Sequence, residues 1–99
     1  DSTFFKEYRQ LIIKALYENL HCGDASVEVT AAATLVFFAE INNDVTSKLE
    51  YYVNGTDSDM WILDYTAKKF ISSKSDGAAI GEIKFKAKSS LNKIKKKLN

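Results

Sequence analysis

The sequence predicts an α+β fold, with an N-terminal amphipathic helix packed on an antiparallel sheet of four to five strands and a short basic C-terminal helix closing the chain. Three observations lead there. An apolar stripe recurs at three- and four-residue steps over residues 3–22, a period of two follows over 25–41, interrupted on its more polar face by Val36 and Phe38, and short alternating segments with turn residues between them continue to position 88.

In the first segment Phe4, Tyr8, Leu11, Ile12, Ala15, Leu16 and Leu20 share one helical face, with Ser2 as N-cap and Gly23 as the stop. Twenty residues make a helix about 30 Å long, enough to cross a small sheet. From Ala25 to Ile41 the residues Val27, Val29, Ala31, Ala33, Leu35, Phe37, Ala39 and Ile41 have one parity, which predicts a long strand bent near Ala31-Ala32-Ala33. Asn42-Asn43-Asp44 reads as a turn, Leu49, Tyr51 and Val53 as a further strand, and residues 60–65 as another, with a hairpin at Lys68-Lys69 leading into Phe70-Ile71-Ser72. Short connections imply antiparallel pairing, because parallel strands need longer crossovers.

At the C-terminus Ile80, Ile83, Ala87, Leu91, Ile94 and Leu98 fit one long helix, whereas Ile83, Phe85 and Ala87 alternate with Lys84, Lys86 and Lys88. Phe85 lies off the helical stripe and Ser89-Ser90 offers a fresh N-cap, so the reading preferred is strand 82–88 followed by helix 90–98.

No proline, repeat or low-complexity linker interrupts the 99 residues, and one domain is expected over 1–99. Apolar residues make up 45% of the chain, with six Phe, five Tyr and one Trp, a composition that builds a core and excludes intrinsic disorder. Cys22 is the only cysteine, so no internal disulfide forms, which fits a reducing, cytoplasmic compartment. The start at Asp1 points to a processed form or an excised piece, with export as the alternative. The longest apolar run, residues 35–39, is far shorter than a membrane span.

Charge is lopsided. Residues 1–64 carry 11 acidic and four basic side chains, net −7, and residues 65–99 carry ten lysines against Asp76 and Glu82, net +8. Lys84, Lys86, Lys88, Lys93, Lys95, Lys96 and Lys97 stand in a stretch without an acid and form the candidate surface for an anionic partner, whether protein, nucleic acid or lipid headgroups. The stretch has no arginine, so it would read charge rather than base sequence.

Catalytic and metal chemistry find little support. His21 and Cys22 are adjacent and would point about 100° apart on a helix, unsuited to a nucleophile–base pair. Two potential soft ligands are too few for structural zinc, and the loop from Asn54 to Asp59 lacks the closing glutamate of a calcium site. Asn54-Gly55-Thr56 is a glycosylation sequon. Glu28 and Glu40 would meet as a carboxylate pair only if the first strand region folded back on itself.

Trp61-Ile62-Leu63-Asp64-Tyr65 resembles the central strand of sterol carrier proteins, and residues 81–86 with the Leu/Lys segment after them resemble their C-terminal end. That resemblance implies a lipid tunnel, although the family has additional helices between the two stretches.

The expectation is a non-enzymatic binding or assembly module, with no cofactor and no metal, whose lysine-rich end meets an anionic partner. One alternative is a carrier holding a small apolar ligand between the first helix and the sheet, lined by Phe4, Phe5, Tyr8, Phe37 and Trp61. Another is a homo-oligomer in which the basic end of one subunit meets the acidic body of the next.

Overall fold

The computed structural model describes the backbone of residues 2–54, 61–64, 69–72 and 77–98, and the side chains of residues 3–54 and 81–97. Its core is helical: α1 spans Ser2–Asn19, α2 Ala25–Phe37, α3 Asn43–Asn54 and α4 Gly77–Leu98. Among the described residues the strands are Trp61–Asp64 (β1) and Lys69–Ser72 (β2), one antiparallel ribbon in which Trp61 pairs with Ser72 and Asp64 with Lys69. The expected α+β architecture, a helix lying on a sheet of four to five strands, is therefore overturned.

The largest correction concerns residues 25–41. Their alternation is a coincidence of composition, because 12 of the 17 residues are apolar and fall on both parities, as Ala32, Val36 and Phe38 show. In the structure Ala25, Glu28, Val29, Ala31, Ala32, Leu35 and Val36 are buried, a broad arc of a helix that packs against α1, α3 and α4. A helix surrounded on several sides loses the one-sided stripe that identifies a surface helix. Its ends are well defined. Asp24 adopts an extended backbone and its Oδ1 accepts the Val27 N–H at 3.1 Å, a direct N-cap. At the other end the Glu40 N–H donates to the Leu35 carbonyl and the Ala39 N–H to the Val36 carbonyl, both at 2.9 Å. This is a Schellman closure with Ala39 at φ 63°, the left-handed position usually given to glycine.

The strand expected at Leu49, Tyr51 and Val53 is instead α3, which buries Val45, Leu49 and Tyr52 at helical spacing. Asn42, read as a turn residue, is its N-cap: Oδ1 accepts the Val45 N–H at 3.1 Å. The strand 82–88 and separate helix 90–98 are likewise one helix, α4. Ile83, Ala87, Ser90 and Ile94 are its buried positions, at steps of four, three and four, so Ser90 faces the core rather than opening a new helix. Phe85 lies off that stripe because it is exposed.

Helix α1 agrees with the expected element, although Ser2 lies within it and it ends at Asn19, before Gly23 at φ 94°. Leu20, Val29, Leu35, Val36, Val45 and Leu49 are fully buried at the centre of the molecule. Burying each such side chain contributes about 1.5–3 kcal/mol.

Candidate partner-binding groove

Helices α2 and α4 lie side by side and leave a groove of about 790 Å³ along their outer edge. The α2 wall is Thr30, Ala33, Thr34 and Phe37, at steps of three, one and three, which is one continuous helical face. Its residues before Phe37 are small, so an incoming element can approach the α2 backbone closely. The Thr34 hydroxyl donates to the Thr30 carbonyl at 2.8 Å, which satisfies that hydroxyl within the helix. The α4 wall includes Gly81, Glu82, Phe85, Lys86, Ser89 and Lys93, so one acid stands among its cations, and nothing lies within 4 Å of where a Gly81 Cβ would stand. Phe37 and Phe85 flank the groove and are 79% and 75% exposed.

The lysines are distributed by helical geometry. Successive residues on α4 turn by about 100°, so Lys84, Lys86 and Lys88 do not share a face as they would on a strand. Lys86, Lys93 and Lys97, at steps of seven and four, follow the α2 side of the buried stripe, whereas Lys84, Lys88 and Lys95 follow its opposite flank and Lys96 points away from the core. Two of the groove-side lysines fasten α4 to α2. Lys86 Nζ donates to Thr30 Oγ1 at 3.1 Å, and Lys97 Nζ to the Val36 carbonyl at 3.3 Å, where the C-terminal end of α2 concentrates partial negative charge. Lys93 lines the groove between them. The seven-lysine set is thus split into two flanks, and the α2-side flank borders this groove.

The residues expected to line an apolar ligand pocket are not gathered in one place. Phe4, Phe5 and Tyr8 border an open depression of about 440 Å³ with Arg9, Ile12 and Phe38. Phe37 belongs to the α2–α4 groove, and the Trp61 side chain lies outside the described residues. Among the described residues the sheet is the β1–β2 ribbon alone, not the four to five strands that were to supply the opposite wall. The sterol-carrier likeness fails at its second stretch, since residues 81–86 are helical. Asn54 of the sequon is the exposed last residue of α3, and the loop after it lies outside the described residues.

Glu28 has a different role from the one its sequence position suggested. It is buried beside α3 and does not pair with Glu40. Its Oε1 accepts from the Tyr52 hydroxyl at 2.6 Å and from Lys48 Nζ at 3.1 Å, and its Oε2 accepts the Gly23 N–H at 2.8 Å. Burial, and then the hydrogen bond and negative charge of Glu28, push the Tyr52 phenol far above its ordinary value, which keeps it protonated as a donor. With three donors satisfied at one buried carboxylate, this cluster locks the α1–α2 turn and α3 onto α2; it holds no open coordination or substrate position. No sequence pattern announces it, because its members are 5, 20 and 24 residues from Glu28.

His21 Nε2 lies 3.0 Å from Asp44 Oδ1, joining the α1–α2 turn to the start of α3 rather than engaging Cys22. Among the described residues no group of three or more His, Cys, Asp or Glu side chains is placed to hold a metal ion, and no helix is long and apolar enough to cross a membrane. No protein-family model, curated protein or solved structure matches the chain.

Proposed function

We propose that the chain is a non-enzymatic binding module whose α2–α4 groove seats an amphipathic, acidic helix of a protein partner. The observation that carries this reading is the pairing, in one groove, of two exposed phenylalanines with a lysine border over a floor of small side chains. A helix laid in such a slot buries apolar residues at i, i+3, i+4 and i+7 and leaves its acidic flank against Lys86 and Lys93, turned away from Glu82. The small residues of α2 suit a third helix at the usual interaxial distance of about 8–10 Å. Nucleic acid is less well served, because the cations are divided between two flanks of α4 and none is an arginine.

Fluorescence anisotropy with a labelled helical peptide tests the proposal. A peptide with Leu and Phe on one face and Glu on its flanks should bind and lose affinity with added salt, and its Lys-flanked counterpart should not bind. Phe85→Ala and Lys93→Glu, both at exposed positions, should each weaken binding about tenfold, in line with the loss of an anchor or an opposed charge. Equal binding of the two peptides, or preferential binding of single-stranded RNA or anionic vesicles, would overturn it.

A further inference from the structure

Helix α1 has two apolar faces, and among the described residues only one is covered. Ile13 and Leu20 are buried, with Leu16 and Tyr17 partly so, on the side that meets α2. Roughly opposite, by the 100° turn per residue, run Phe4, Tyr8, Leu11 and Ala15 at steps of four, three and four, with Phe5 and Ile12 beside them. These six residues are all exposed, Phe5 at 73% and Leu11 at 65%. Scattered exposed apolar residues are ordinary, but a continuous seam at coiled-coil spacing is not.

We propose that this seam joins two copies of the chain through antiparallel pairing of their α1 helices. Charge selects the second copy as the occupant. The flank of the seam away from Phe5 and Ile12 carries Glu7 and Lys14, seven residues apart at equivalent positions beside the seam. An antiparallel α1 that places Tyr8 beside the partner's Leu11, and Phe4 over the partner's Ala15, brings Glu7 close to Lys14 of the partner subunit, and the two-fold axis repeats the pair. Parallel pairing would instead face this flank with Phe5 and Ile12 positions, leaving Glu7 without an opposite across the interface and Lys14 with only Glu18 of its own helix, one turn on. Large-over-small packing of Phe4 on alanine also favours the antiparallel register.

Area supports the same occupant. Phe4, Phe5, Tyr8, Leu11 and Ile12 are 42–73% exposed. With whole aromatic side chains worth about 150–250 Å² each, the seam offers roughly 500 Å² per copy. Two copies then bury about 1,000 Å², the lower bound for a specific interface, which corresponds to a reversible dimer rather than an obligate one. The dimer leaves the α2–α4 groove free, so it neither requires nor excludes the function proposed above.

Sedimentation of the chain across a concentration series reads the equilibrium, and charge exchange identifies the register. Glu7→Lys and Lys14→Glu each replace two attractive pairs with two repulsive ones and should weaken the dimer about tenfold. The double exchange, Glu7→Lys with Lys14→Glu, should restore it, and Leu11→Asp should abolish it. All three positions are exposed, and circular dichroism confirms that each variant keeps its helices. A chain that stays monomeric at millimolar concentration overturns the proposal. So does a dimer indifferent to the single exchanges, or one that the double exchange fails to restore.

Discussion

Helices α1 and α2 are neighbours in sequence and in space, and they invert the usual relation between pattern and burial. In α1 the apolar stripe is plain, with a polar side between its members, yet most of that stripe faces water. In α2 no helical stripe is visible, yet it is the most enclosed element and packs against all three other helices. Periodicity arises because one face of a helix must remain polar. The central helix has little such face, so the sequence shows composition without period. A stripe shows that some surface will be covered, but not by which surface.

The sharpest way to break this contrast is to attack the polar group that α2 does bury. Glu28→Ala strands the Tyr52 hydroxyl, the Lys48 ammonium and the Gly23 N–H, and should cost about 3 kcal/mol in chemical denaturation. A loss below about 0.5 kcal/mol would show that α2 is held by its apolar contacts alone.

Alkaline pH probes the same cluster more gently. Tyr52 has a phenol raised in the folded state, so its stabilising contribution is complete below the unfolded value near 10. It is lost as pH rises above that value, because the unfolded chain releases a proton that the folded chain retains. Denaturation midpoints should fall above about pH 10, with a phenolate absorbance step that coincides with unfolding. Tyr52→Phe should remove that step and flatten the added slope.

A smaller and opposite effect is expected where α2 ends. Ala39 occupies a left-handed conformation at φ 63°, and Ala39→Gly should relieve it and stabilise the chain by about 1 kcal/mol. If the midpoint does not rise, the Schellman closure is not rigid in solution, and the boundary between α2 and the following turn is softer than its hydrogen bonds imply.

The legible and illegible parts of the fold divide by physical cause. The N-terminal helix was readable because Phe4, Tyr8, Leu11 and Ala15 alternate with charged residues at the right steps. The end of α2 was not, because alanine stands where glycine would have marked a C-cap. Asn42-Asn43-Asp44 carries a real local signal, but Asx side chains satisfy backbone donors in turns and in helix caps alike. Here the cap prevails because α3 buries Val45, Leu49 and Tyr52 on its inner side. In α4 Phe85 favours a strand only if it must be buried, and the structure leaves it exposed at the edge of a groove. The lysines were legible as a charged segment. Their division into a groove-side set, Lys86, Lys93 and Lys97, and an opposite set depended on their being helical, since a strand would have aligned Lys84, Lys86 and Lys88.

By itself the sequence determined enough apolar residues for a core, a helix over its first segment, a lone cysteine that cannot close an internal disulfide, and a C-terminal end rich in lysine. These follow from composition and from short-range periodicity, which each residue carries locally. Tertiary structure alone decided that residues 25–37 coil rather than extend, that Glu28 meets Tyr52 and Lys48, and that the α1 seam faces outward. Each of those outcomes depends on which surfaces compete for the same apolar face, and that competition involves residues far apart in the chain.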